Sequence, residues 1–97
     1  MREDIRGRLI EVARHRGLIA YGELMRDFGL ARGRQIGEVL GEISEYENAQ
    51  GRGFLSAIVV NKGTLRPSAG FFGVRGVSRD VPWERYRDEV HEYWWNA

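Results

Sequence analysis

Arg34, Gly37, Gly41, Ser44 and Asn48 recur at three- and four-residue spacing, which on a helix gathers them into one strip. Apart from Arg34 the strip is small, and a glycine inside a helix costs about 1 kcal/mol relative to alanine. Two glycines on one strip therefore call for a reason. Either this helix approaches a ligand closely, with Arg34 entering ahead of it, or a second helix crosses at short distance. Spacing alone favours the crossing helix. Arg32 and Arg34 stand at the expected start of the helix, where its positive end adds to their charge in holding phosphate. Lys62 and Arg66, farther along, offer the same chemistry: contacts to a phosphate backbone that position a duplex without specifying its sequence. Glu38, Glu42 and Glu45 border the same exposed face, and carboxylates repel phosphates. A major-groove reading head built on this helix is therefore a poor fit.

Little else in the chain points to catalysis. There is no cysteine, so the sequence offers no disulfide framework, thiol nucleophile or thiolate-bound metal. Ser56 and Lys62 are six residues apart, about 20 Å along a strand at roughly 3.3 Å per residue, too far for a nucleophile and its base. Ser56 reads as the polar alternation of a strand. Two histidines at no ligand spacing, His15 and His91, do not make a metal site. His15 suits the negative end of a first helix, and His91, one turn after Asp88, reads as half of a surface pair. The run from Arg66 to Gly70 lacks the spacing of a phosphate-binding loop and reads as a turn. The expectation is a protein without enzymatic activity, cofactor or metal.

The elements that must position these residues follow from periodicity. Ile5, Leu9, Val12 and Ala13 form the apolar stripe of a first helix over 2–16, with Asp4 to cap it and Gly17 to stop it. A short second helix, from about Tyr21 to Phe28, turns Leu24, Met25 and Phe28 inward and ends at Gly29. The third helix runs from about Gly33 to Glu47, with Ile36, Val39, Leu40 and Ile43 inward. Three such stripes must pack on one another to be buried. Beyond Gly51-Arg52-Gly53 the pattern changes. Phe54 to Asn61 is short and β-branched, and reads as a buried strand. Lys62 to Gly70 has turn chemistry, and Phe71 to Val74 reads as a return strand, so the pair makes a β-hairpin wing. Ser78 or Asp80 caps a final helix with Pro82 in its first turn. Its stripe of Trp83, Tyr86, Val90, Tyr93 and Trp94 suits a core or a contact with a second copy better than a base-stacking platform. Trp95 falls off the stripe and suits a partner surface.

The 97 residues are enough for one domain over 1–97 with a modest core. Composition is that of an ordinary soluble globular chain, with no long apolar run and no signal-peptide pattern, so the default expectation is cytoplasmic, without membrane contact. Net charge is only +1, but it is unevenly spread: −1 over 1–47, +5 with no acid over 48–79, and −3 over 80–97. The middle segment is a candidate anion-facing surface. Lysine supplies only one of the fifteen basic residues, a usage best put down to genome composition.

Three segments carry a resemblance. Tyr21-Gly22-Glu23-Leu24, then Gly33-Arg34-Gln35-Ile36-Gly37-Glu38-Val39-Leu40, and Val59-Val60-Asn61-Lys62-Gly63-Thr64-Leu65 resemble the C-terminal DNA-binding domain of alkylguanine-DNA alkyltransferases, and more closely their inactive relatives, the alkyltransferase-like proteins. The likeness spans roughly Ile19 to Phe72. It implies a winged helix that binds the minor groove and flips a damaged guanine. In that scheme Tyr21 presses on a phosphate during flipping, Arg34 takes the place of the flipped base, and Gly37 and Gly41 permit close contact with the groove. The family's Pro-Cys-His-Arg motif, or its tryptophan version, falls near Ile58 to Asn61, where this chain has no Cys, His or Arg. Ala20 replaces the usual threonine before the tyrosine. Alkyl transfer needs a thiolate, so that activity is excluded. The expected fold is an α+β, winged helix-turn-helix-like domain of three helices, a β-hairpin wing and a C-terminal helix. The expected function is non-catalytic binding of double-stranded DNA through Tyr21, Arg32, Arg34, Gly37, Gly41, Lys62 and Arg66. The rival expectation is a protein-interaction module that binds another chain, or itself, through the aromatic C-terminal helix.

Overall fold

The structure, a computed structural model, describes residues 1–31 and 34–97. Among them the chain forms four α-helices and two short strands: α1 (Glu3–Arg14), β1 (Ile19–Ala20), α2 (Tyr21–Phe28), α3 (Arg34–Ala49), β2 (Val59–Val60) and α4 (Trp83–Asn96). Two 3₁₀ turns, Leu55–Ile58 and Ala69–Gly73, complete the set. The strands pair in parallel, Ile19 with Val59 and Ala20 with Val60. This is a small, mostly helical α+β domain.

The helices follow their stripes. Ile5, Leu9 and Ala13 of α1, Leu24 of α2, and Ile36, Leu40 and Ile43 of α3 are all buried. Gly29 ends α2 with φ +66°, and the N–H of Leu30 after it donates to Met25 O at 3.0 Å, a left-handed cap that glycine takes without a Cβ penalty. The Gln35 side chain accepts a hydrogen bond from Ala31 N–H at 2.6 Å and ties the incoming chain to the first turn of α3. Two caps differ from expectation. Arg2 rather than Asp4 precedes α1, and Asp4 instead pairs with Arg2 at 2.7 Å. Pro82 itself precedes α4, while Ser78 Oγ accepts from Asp80 N–H, so neither side chain caps that helix.

The hairpin expected over 54–74 does not form. Leu55–Ile58 is a 3₁₀ turn, only Val59 and Val60 extend into a strand, and Ala69–Gly73 is a second 3₁₀ turn. The reason lies in burial. Every residue from Phe54 to Val60 is buried, and the first turn packs on α1, α3 and α4 together. With helices on its several sides the turn, unlike Val59 and Val60 after it, has no strand beside it among the described residues, so its backbone groups close locally, as in Ala57 N–H to Phe54 O at 2.9 Å. Phe71, which would have alternated in a strand, instead packs edge-on to Tyr86 with ring centres 5.7 Å apart. The turn is thus the hub of the core, and Trp83 fixes it by donating from Nε1 to Ala57 O at 2.7 Å.

The stripe of α4 is core: Trp83, Tyr86, Val90 and Trp94 are buried, and only Tyr93 and the off-stripe Trp95 are exposed. Trp95 lies beneath the Arg16 guanidinium, 4.4 Å from the ring centre. His91 makes no pair with Asp88. Its Nε2 meets Gly17 O at 2.8 Å and joins α4 to the end of α1.

Candidate nucleic-acid interface

A cavity of about 440 Å³ opens between α2, α3 and the second 3₁₀ turn. Its apolar walls are Met25, Ile36, Leu40, Phe71 and Val74, and its polar groups are Tyr21, Ser56, Asn61 and Ser68. Gly37 and Gly41 line its α3 side, and among the described residues nothing lies within 4 Å of where a Cβ would stand on either. The glycine strip is therefore not a helix crossing, the reading that spacing favoured. It keeps a cavity open.

The polar groups are held in place. Tyr21 begins α2 directly after β1, and its Oη accepts from both the N–H and the hydroxyl of Ser68, each at 3.2 Å. Ser56 is not an exposed alternation in a strand; it is 3% exposed at the cavity's inner end. Ser44 of α3 donates to Ser56 Oγ at 2.6 Å and accepts from Ser56 N–H at 2.8 Å. Ser44→Ala removes both bonds and leaves a buried N–H unmet, so it is expected to cost about 1–3 kcal/mol, read from a denaturant midpoint.

Next to the cavity, and sharing Gly37, Gly41, Gly70 and Val74 with it, is an outer shelf that carries Arg34, Glu38, Glu45 and Arg75. Its charges alternate and match: Arg34 pairs with Glu38 at 2.8 Å and Arg75 with Glu45 at 3.8 Å. The Arg34 side chain is nonetheless 92% exposed, and an exposed pair of this kind is worth little against a phosphate that offers more than one contact.

Of the residues expected at the site, Tyr21, Gly37 and Gly41 line the cavity and Arg34 stands on the shelf beside it. Lys62 and Arg66 lie on the loop after β2, which leaves the cavity wall at Asn61 and returns to it at Ser68. Arg66 reaches Glu84 at 3.6 Å and lies over the Trp83 ring at 5.4 Å. Arg32 lies outside the described residues. Sequence reasoning missed Ser56, Asn61, Ser68 and Phe71. The one signal that pointed to them was Ser56, a lone hydroxyl in the otherwise apolar run from Phe54 to Val60.

Among the described residues there is no group of three or more His, Asp or Glu side chains that would hold a metal ion, and no helix is long and apolar enough to cross a membrane. Comparison with protein-family models, with curated proteins and with solved structures found no match to this chain.

Proposed function

We propose that this chain is a non-catalytic nucleic-acid-binding domain on a winged-helix-like scaffold, in which the loop over 62–67 takes the part of the wing. It meets duplex DNA through α3 and that loop, and the cavity receives an extruded base. One observation carries the reading: Tyr21, Gly37 and Gly41, which the resemblance to alkyltransferase-like proteins singles out, line a single cavity, with Arg34 on its rim. The size is within the roughly 300–1,000 Å³ of small-ligand pockets. Its composition, apolar walls with a few fixed hydroxyl and amide groups, suits a flat heteroaromatic group read along its edge. With no thiol in the chain, the domain cannot take an alkyl group from the base onto a cysteine.

The test is fluorescence anisotropy of a labelled duplex, with and without an alkylated guanine, at two salt concentrations. Micromolar, salt-sensitive binding is expected, and an affinity indifferent to salt would sink the reading. Gly41 separates binding from folding. Since a Cβ there meets nothing within 4 Å, Gly41→Ala is expected to stabilise α3 by about 0.5–1 kcal/mol. Gly41→Leu fills the cavity and is expected to abolish any preference for the lesion while the protein stays folded.

A second reading, a protein-interaction module, is favoured by the matched charges of the shelf and by the exposed Tyr93 and Trp95 on α4. Absence of duplex binding at low salt would leave it the better account.

A further inference from the structure

The loop beside the cavity, between Asn61 and Ser68, carries a strained residue whose side chain is exposed. Leu65 has φ +56°, a left-handed conformation that glycine takes freely and asparagine tolerates, but that a leucine side chain opposes. Arg16 is the other non-glycine residue of positive φ among those described. It stands at the end of α1, where a left-handed residue commonly terminates a helix, and its guanidinium lies on Trp95. Leu65 has neither excuse. It is 58% exposed, so no core contact repays the strain, and glycine or asparagine would serve the turn better.

The loop is nevertheless tightly built. Leu65 N–H donates to Asn61 O at 2.7 Å, and Asn61 N–H donates to Arg66 O at 2.8 Å. These bonds set the Leu65 backbone directly beside Asn61, a residue of the cavity wall. Cations flank the tip. Lys62 is exposed and, among the described residues, has no carboxylate within ion-pairing distance; Arg66, which follows Leu65, is held toward α4 by Glu84 at 3.6 Å, an exposed pair that a phosphate can displace. The result is an exposed, bulky apolar side chain on a short closed loop whose two ends, Asn61 and Ser68, are cavity-wall residues, with a basic residue on either side of it in the loop. A partner that fits it alternates apolar and anionic layers over a few ångströms, as stacked bases and their phosphates do. An anionic membrane surface would be a poorer fit, since one leucine presents far less apolar area than interfacial binding uses.

We propose that Leu65 is a wedge that enters a base step of duplex DNA, with Lys62 and Arg66 on the phosphates to either side, and so opens the stack next to the cavity. The inference rests on the nucleic-acid reading above. It assigns the unstacking to the loop, whereas α3 supplies the groove contact.

The experiment places 2-aminopurine at successive positions of a labelled duplex and follows its fluorescence and the anisotropy together, for the wild-type chain, Leu65→Asn and Leu65→Met. Wild type is expected to raise the fluorescence at one step, and Leu65→Met to retain that rise. Leu65→Asn is expected to bind about tenfold more weakly with the same salt dependence, since no charge is lost, and to give no rise. It is also expected to melt at the same temperature as wild type or higher, because asparagine relieves the strain. A Leu65→Asn protein that binds and unstacks like wild type overturns the wedge and leaves the nucleic-acid reading standing. A lowered melting temperature overturns it too, by showing that Leu65 serves the fold, as does binding of anionic vesicles, but not of duplex, that Leu65→Asn abolishes. Failure of the wild-type chain to bind any duplex at low salt removes both readings.

Discussion

Glu47→Gln is expected to destabilise the fold by about 3 kcal/mol or more, read as a large fall in the urea midpoint with little change in slope. Glu47 lies on α3 with its side chain 0% exposed, yet it is charged. Arg52 grips it with two bonds, Nε at 2.9 Å and Nη2 at 2.8 Å, and Arg6 of α1 adds Nε at 3.0 Å. Both guanidiniums also lie over the Tyr46 ring, at 5.6 and 5.7 Å. Burial alone would push the Glu47 carboxyl up, but the hydrogen bonds from Arg52 and Arg6 together outweigh it and hold the group below its ordinary value. Glutamine keeps one acceptor oxygen and turns an amide N–H₂ toward the guanidiniums. Arg52, 19% exposed, then loses its counter-charge, and Arg6, 22% exposed, keeps only the exposed Glu3 at 3.4 Å, which is the costly way to break such a cluster.

The same cluster sets a pH dependence. A carboxyl whose folded pKa is lowered stabilises the fold fully above its unfolded value, here 4.5, and that contribution is lost as pH falls through the folded value. Wild-type stability is therefore expected to decline on acidification below about pH 4.5, and that of Glu47→Gln to decline less. Some acid sensitivity should persist in the variant, because Asp4 is lowered by its bonds from Arg2, and Asp27 by those from Arg8 and Arg26. Equal declines in the two proteins would mean that Glu47 is not the group being titrated.

The second large effect concerns binding. Reversing charge at two positions, Arg34→Glu with Lys62→Glu, is expected to weaken duplex binding by about a hundredfold or more and to make its salt dependence shallower by roughly two phosphate contacts. Both side chains are exposed, so the melting temperature should hold and the loss be attributable to the surface. Arg34 is matched by Glu38, and for that reason the single Arg34→Ala change should be milder than the reversal. An unchanged affinity in the double variant would move the contact surface away from α3 and the loop.

How far the sequence reveals this molecule depends on the distance over which each feature is decided. The span of α2, Tyr21 to Phe28 with its stop at Gly29, is read directly from the chain because both period and cap are local. The strip of Gly37 and Gly41 is legible as an anomaly, but whether it faces a helix or a cavity depends on what stands opposite. Phe54 to Asn61 is misread because a short apolar run suits a strand and a buried turn equally, and the surrounding helices decide between them. His91 and Glu47 are decided at long range. The partner of His91 is a carbonyl 74 residues away, and one partner of Glu47 is 41 residues away; no spacing rule reaches so far. The candidate site divides the same way. Its helical half, Tyr21 with the glycine strip, is visible in sequence, whereas Ser56, Asn61 and Ser68 come from segments whose conformation is set by tertiary packing.

The position of the hub in the chain also bears on how the protein folds. Leu55–Ile58 lies past the middle of the sequence, yet α1, α3 and α4 all pack against it, and β1 waits for Val59 and Val60 to gain a partner. The stripes of α1 and α3 thus lack the segment they pack against until it arrives, and isolated helices of 8 to 16 residues are marginal in water. A nascent chain that has emerged only as far as Gly53 should stay unstructured, and folding should come late and in one cooperative step. It should also run more slowly than in a helical bundle of the same length, because closing these long loops must precede the contacts that reward it.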